Sequence, residues 1–196
     1  MYSREPYMPY MHKLIQQELS RNTKGKVQVD NLSVGGWTVE NGRDALSGGV
    51  DGHNYSDKYK GYDLLILSFG MNNAYTSKEE YNPVTKEYEG YVPATKAIVD
   101  KIKAANPNLE VILVSCMNPN PRVGWDVNQK HQGGWLKEIA AQSKYSSYTA
   151  VVDFYAVHKS ILAYKDFSAT TGNNINHPND WLIRVYAQNI LAAMIK

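Results

Sequence analysis

The segment "INHPND", residues 175–180, sets a histidine, the side chain that exchanges protons near neutral pH, immediately ahead of a run that reads as a helix. Pro178 suits the first turn of that helix, where its missing N–H is not needed. The following "WLIRVYAQNILAAMIK" puts Leu182, Tyr186, Ile190 and Met194 on one stripe. His177 is therefore expected on the loop or cap before the last helix, and taken alone it is accounted for as a capping residue. A second polar residue in a suggestive place is Asn72, two positions beyond Gly70 in "FGMNN". Folding explains Gly35 and Gly36 in "SVGGWT" as turn residues and Gly70 as a strand-end glycine. It does not explain why Asn72 and His177 should accompany them.

The elements that would position these residues can be read from periodicity. Four apolar, β-branched runs predict strands: "KVQVDNLSV" (26–34), "YDLLILSFG" (62–70), "LEVILVSC" (109–116) and "YTAVVDFY" (148–155). The second and third are nearly continuous, as expected of parallel strands covered on both faces. Helical segments alternate with them at 9–22, 93–107, 133–145 and from Pro178 onward. Strand and helix in alternation imply a single α/β domain over residues 1–196, three layers thick, with a mostly parallel sheet and helices on both sides. Function in such sheets gathers at the carboxyl ends of the strands. Those ends are "SVGGWT", "FGMNNA" and "MNPNPR", and the stretch entering the last helix is "TTGNNINHPND".

Composition narrows the classes. A chain of 196 residues can bury a core without disulfides, and its one cysteine, Cys116, lies in an apolar run where a small core residue is expected. The net charge of +2 comes from mixed charges without a basic block, so nucleic acid is not an expected partner. No run reaches 18 apolar residues and the first twenty lack the centre of a signal peptide, so no membrane association is expected; the compartment stays open. None of the five histidines has the helical i, i+4 spacing with an acidic partner that a metal site would use, and neither phosphate-binding glycine motif follows a predicted strand. No metal and no cofactor are expected. Fifteen tyrosines and four tryptophans lean weakly toward a surface that stacks on sugars.

With these residues in order, the sequence resembles the SGNH hydrolase superfamily, the GDSL-like lipases and esterases. "NLSVGG" resembles the family's second block through Gly36, "FGMNN" its third through Asn72, and "NINHPN" its last through His177. The resemblance implies a flavodoxin-like three-layer sandwich and a serine-type attack on an ester carbonyl. It makes His177 the general base, and the Gly36 main-chain N–H and Asn72 side-chain amide two of the donors to the developing oxyanion. A glycine leaves the oxygen's approach open, and an asparagine donates without carrying charge.

Two departures accompany the matches. The family's first block is Gly-Asp-Ser at the end of the first strand, and no Gly-Asp-Ser occurs in this sequence. Residues 1–22 read as the loop and helix that follow that block, so the nucleophile block and the first strand are expected to be missing. The family's pattern sets that strand between residues 26–34 and 62–70, so a seam is expected there. It could close on itself, recruit amino-terminal residues, or borrow a strand from a second copy and give a homodimer. Ser3 is the nearest serine but has no Gly-Asp or strand before it. The second departure is Asn174, three residues before His177, where the family has an aspartate. An amide oxygen can hold the imidazole tautomer but lends no charge to the imidazolium.

The resulting expectation is an esterase of the SGNH type, acting on a small-molecule or glycan ester and inactive without its nucleophile block. The alternative is a non-catalytic carbohydrate or small-ligand binding module on the same fold. The connection "MNPNPRVGWDVNQKHQGGW" (117–135) is long and rich in Asn, Gly and Trp, so Trp125 and Trp135 are expected at the cleft as substrate contacts.

Overall fold

The computed structural model describes residues 11–23, 25–124 and 126–194. Its centre is a parallel sheet of three strands, β1 (Leu64–Ser68), β4 (Glu110–Val114) and β5 (Thr149–Val152), in the spatial order β1-β4-β5. Leu64–Ser68 stand opposite Glu110–Val114, and Val111–Val114 opposite Thr149–Val152. A small antiparallel hairpin of β2 (Glu80–Asn82) and β3 (Glu87–Glu89) lies between β1 and the next helix in the chain.

Helices cover both faces, because successive side chains of each strand point to opposite sides. On one face Val111 and Leu113 pack with α2 (Val39–Ala45), α3 (Tyr91–Ala105) and α4 (Gln129–Ala140) through Val39, Ile98 and Leu136. On the other, Ile112 and Val114 pack with α1 (Met11–Asn22) and α7 (Asp180–Ala193) through Ile15, Leu182 and Ile190. Two short helices, α5 (Phe154–Ile161) and α6 (Phe167–Thr170), lead from β5 toward α7. The three-layer α/β architecture expected from the alternation is thus the observed one, and none of the described helices is long and apolar enough to cross a membrane.

Local chemistry accounts for the helix ends. Asn179 caps α7 by accepting from the Leu182 N–H at 3.0 Å, so the helix starts at Asp180, two residues later than expected; Pro178 lies before the cap and not in the first turn, and His177 sits on the loop two residues ahead of the cap. The expected stripe is also found, with Leu182, Tyr186 and Ile190 at most 2% exposed and Met194 packed against the same cluster. Helix α2 starts with a reciprocal cap: the Thr38 side chain accepts from the Asn41 N–H while the Asn41 side chain accepts from Thr38 N–H.

Residues 26–34 correct the sequence reading. They run extended with Val27, Val29, Leu32 and Val34 half-buried, yet they form no ladder and are not a strand of the sheet. Hydrogen bonds that a neighbouring strand would take are partly met by side chains; the Val29 N–H, for instance, donates to Gln16 Oε1 at 3.0 Å. Helix α4 also begins at Gln129, a turn earlier than expected, and it absorbs the second half of the connection read as loop.

Candidate active site

Gly36, Asn72 and His177 line one trench, of about 1550 Å³, that runs along the outer edge of β1 and between it and residues 26–34. Each arrives from a different loop, and each loop is held by side chains that do not face the trench.

The loop after β1 carries Asn72. Gly70 takes a φ of +136°, open to a glycine and strained for other residues, and a Cβ there would collide with the side-chain amide of Gln132. Gln132, fully buried, donates from Nε2 to the Gly70 carbonyl at 3.0 Å and accepts from the Cys116 thiol. Gln129, also fully buried, donates to the Met71 carbonyl at 3.1 Å. Asn73, 1% exposed, accepts from the Val39 N–H at 3.0 Å and donates to Glu40 at 2.8 Å, joining this loop to the start of α2. Asn72 is therefore presented at the surface by a floor that cannot easily shift. One of its amide N–H groups donates to the Trp37 carbonyl at 3.1 Å, which leaves the second N–H of the same NH₂ to be used elsewhere.

That contact ties Asn72 to the turn holding Gly36, an exposed residue at φ +85°. Beyond the turn, Trp37 is buried and packs edge-on against His53 with ring centroids 5.3 Å apart, and with Tyr55 at 6.1 Å. Trp37 and Tyr55 are among the aromatic residues that line the trench.

The loop carrying His177 is organised by Asn173. Its Oδ1 accepts from the main-chain N–H groups of Ile175, Asn176 and His177, each at 3.0 Å. Asn174 occupies the left-handed region at φ +55°. Its main-chain carbonyl accepts from Asn120 Nδ2 at 2.8 Å, and among the described residues its side-chain amide makes no hydrogen bond. The expected contact between the Asn174 side chain and the His177 ring is thus not formed; the asparagine that engages His177 is Asn173, through the backbone.

Beneath this loop His158 is fully buried on α5. Its Nδ1 lies 3.1 Å from the Asn118 carbonyl and its Nε2 3.1 Å from Thr170 Oγ1. A carbonyl can only accept, so Nδ1 carries a proton. Thr170 in turn gives its carbonyl to the Asn179 N–H at 3.0 Å, linking His158 to the cap of α7. Burial pushes the His158 pKa down to about 4, against the stabilising bond to Asn118. A group depressed in the folded state contributes stability above its unfolded value, near 6.5, and loses it as pH falls toward 4. Urea unfolding at pH 7 and pH 4 is expected to differ by on the order of 3 kcal/mol through this residue. His158→Gln should remove that part of the pH dependence; an unchanged slope would mean that the ring does not stay neutral.

The two expected tryptophans fare differently. Trp135 lies on α4, stacks on His131 at 6.0 Å and packs against Tyr91 at 5.8 Å, inside the cluster on the α3/α4 face and not along the trench. Helix α4 turns it toward the core that a loop would have let it leave. Trp125 lies outside the described residues, as does Ser3. Cys116 is buried, and burial pushes its thiol well above the usual range, so it stays protonated, in keeping with a core residue.

Comparison with known proteins fits this geometry. Residues 2–181 match the sequence model of the GDSL-like lipase/acylhydrolase family. No curated protein matches in sequence. Among solved structures, a lipase/acylhydrolase from Enterococcus faecalis is similar at a TM-score of 0.64 and 17% identity, over 94% of this chain and 84% of that one. An acetylxylan esterase from Geobacillus stearothermophilus aligns at a TM-score of 0.63 and 15% identity, over 98% and 88%. A carbohydrate esterase family 3 protein from Talaromyces cellulolyticus aligns at 0.58 and 13%, over 97% and 91%. With the family match spanning nearly the whole length, and with a parallel sheet flanked by helices as its frame, the chain belongs to the GDSL-like lipase/acylhydrolase family, the SGNH hydrolases.

Proposed function

We propose that this domain supplies the base and the oxyanion donors of a serine ester hydrolase that removes acyl groups from a carbohydrate or small ester. The observation that supports the reading is that Gly36, Asn72 and His177, from three separate loops, all line the one trench beside β1. The serine hydroxyl attacks the ester carbonyl while His177 takes its proton. The negative charge that appears on the carbonyl oxygen is met by the Gly36 N–H and by the Asn72 N–H not engaged by Trp37. His177 then gives the proton to the departing alkoxide, and a water activated by the same imidazole hydrolyses the acyl-serine. With Asn173 and Asn174 in the loop, no carboxylate is contributed by the residue three before the base. The dyad is expected to be slower than a full triad.

The sugar preference rests on the acetylxylan esterase and carbohydrate esterase among the structural neighbours and on the aromatic pair Trp37 and Tyr55 at the cleft. The test uses the chain with an apolar strand ending in Gly-Asp-Ser joined ahead of residue 1, assayed on an aryl acetate and on an acetylated xylo-oligosaccharide. Asn72→Ala should lower kcat by about 10²–10³ with little change in KM, because an oxyanion donor acts in the transition state and not in substrate binding. A loss confined to KM would remove Asn72 from that role. Retained glycan binding without turnover of either ester would favour a non-catalytic binding module.

A further inference from the structure

The loop that carries His177 is gripped from two sides. On one side lies the stretch that follows β4. There Asn120, 7% exposed, donates its main-chain N–H to the Ile175 carbonyl at 2.8 Å and its Nδ2 to the Asn174 carbonyl, also at 2.8 Å. Its Oδ1 accepts from the Arg122 N–H at 3.1 Å and caps the short turn at Pro121–Val123. On the other side lies the stretch that follows α6, where the Gly172 N–H donates to the His177 carbonyl at 2.9 Å and Thr171 pairs with Pro178. The buried His158 braces the two sides, since its ring bonds at 3.1 Å both to Asn118, two residues before Asn120, and to Thr170, two residues before Gly172.

A capping asparagine needs only its side-chain oxygen. Asn120 spends both a main-chain and a side-chain donor on consecutive carbonyls of the histidine loop, those of Asn174 and Ile175. Asn174 stands at φ +55°, a backbone state that persists in a non-glycine residue where the surroundings hold it. We propose that Asn120 is a positioning residue for His177: its Nδ2 donor pins the Asn174 carbonyl and so sets where the imidazole stands at the trench.

The grip is anchored in the sheet. Ser115, Cys116 and Met117, all buried, continue β4 toward Asn118, and the Ser115 N–H donates to the Val152 carbonyl at 3.0 Å. Asn120 therefore transmits the rigidity of β4 and β5 to a loop that lies outside any helix or strand. Such a hold matters because residue 174 is an asparagine whose side chain makes no hydrogen bond among the described residues, so the backbone that carries His177 has to be fixed by other groups. The consequence for turnover rests on the proposed function; the hold itself does not.

The test compares the 196-residue chain with two variants. Asn120→Asp keeps an oxygen to accept from Arg122 but has no donor for Asn174; Asn120→Ser is uncharged and too short to reach that carbonyl. Amide exchange is followed at Gly172, which holds the loop from the side the substitutions do not touch, and at Leu113 in β4, which reports the sheet. Each variant should speed exchange at Gly172 by about tenfold, the worth of one lost hydrogen bond, with Leu113 within about twofold of the parent. The order parameter of the His177 amide should fall from about 0.85 toward about 0.6, a change that loss of global stability alone does not produce. An unchanged order parameter, whether exchange at Gly172 stays the same or rises together with Leu113, makes Asn120 a residue of the fold alone and overturns the proposal. In the form with a Gly-Asp-Ser strand joined ahead of residue 1, both variants should lower kcat about tenfold or more with KM within about twofold, because a displaced base weakens the transition state and not substrate binding. A loosened loop with unchanged kcat overturns the positioning role. A loosened loop in a form that shows no turnover even without the substitution upholds the hold on His177 and counts against the proposed function alone.

Discussion

Joining an apolar strand that ends in Gly-Asp-Ser ahead of residue 1 is expected to raise hydrolysis of an aryl acetate from background to enzymatic rates, and His177→Ala in that form should lower kcat by about 10²–10⁴. The expectation is large because a serine hydroxyl is a weak nucleophile until a base takes its proton. His177 is exposed at the trench on a loop tied by three bonds to one asparagine side chain, so the substitution should leave the fold intact. Equal thermal midpoints for the two forms would confirm that the loss is chemical. The unfused chain should be inactive. If it turns over ester, and that turnover disappears in both Ser3→Ala and His177→Ala, then Ser3, which falls within the matched span of residues 2–181, is the nucleophile.

The second large effect is on stability. Gly70→Ala combines a φ of +136° with a Cβ driven into the Gln132 amide. Gln132 cannot retreat, since it is fully buried and bonded both to the Gly70 carbonyl and to Cys116. A cost of about 3 kcal/mol or more is expected from the strained backbone together with the displaced buried amide. For a domain of this size that lowers Tm by roughly 6–12 °C. Because the same loop presents Asn72, kcat in the strand-carrying form should fall as well. A Tm within 1–2 °C of the parent would show that the loop has room the structure does not give it.

How much of this was legible in the sequence depended on whether a residue's role was local. β1, β4 and β5 announced themselves as apolar runs because both faces of a parallel strand are covered. α7 did so because its 3.6-residue stripe is long and regular, although its start fell at Asp180 and not at Pro178. Asn72 and His177 could be placed on their loops because one follows the β1 run and the other precedes α7, whereas Gly36 follows residues 26–34, which join no ladder. Residues 26–34 misled, because their apolar alternation reports what they would pack against, whereas a strand also needs a hydrogen-bonded neighbour. Gln129 and Gln132 were missed for the opposite reason. Glutamine reads as surface, and only the approach of α4 to the Gly70 loop makes these two the buried donors that hold it. The same holds for Asn73, whose partners Val39 and Glu40 are more than thirty residues away. Trp135 was assigned to a binding loop because two glycines concealed the first turns of α4. Asn173 was passed over for Asn174 because turn geometry, not spacing from the histidine, decides which side chain faces the His177 backbone.

The central claim, that this trench performs serine-type ester hydrolysis with His177 as base, is tested most directly by covalent labelling. A fluorophosphonate is incubated with the strand-carrying form and the adduct located by peptide mass spectrometry. One adduct is expected, on the serine of the Gly-Asp-Ser segment, formed at least a hundredfold more slowly in His177→Ala. An adduct on Ser33 or Ser68, or labelling of the supplied serine at the same rate without His177, would contradict it.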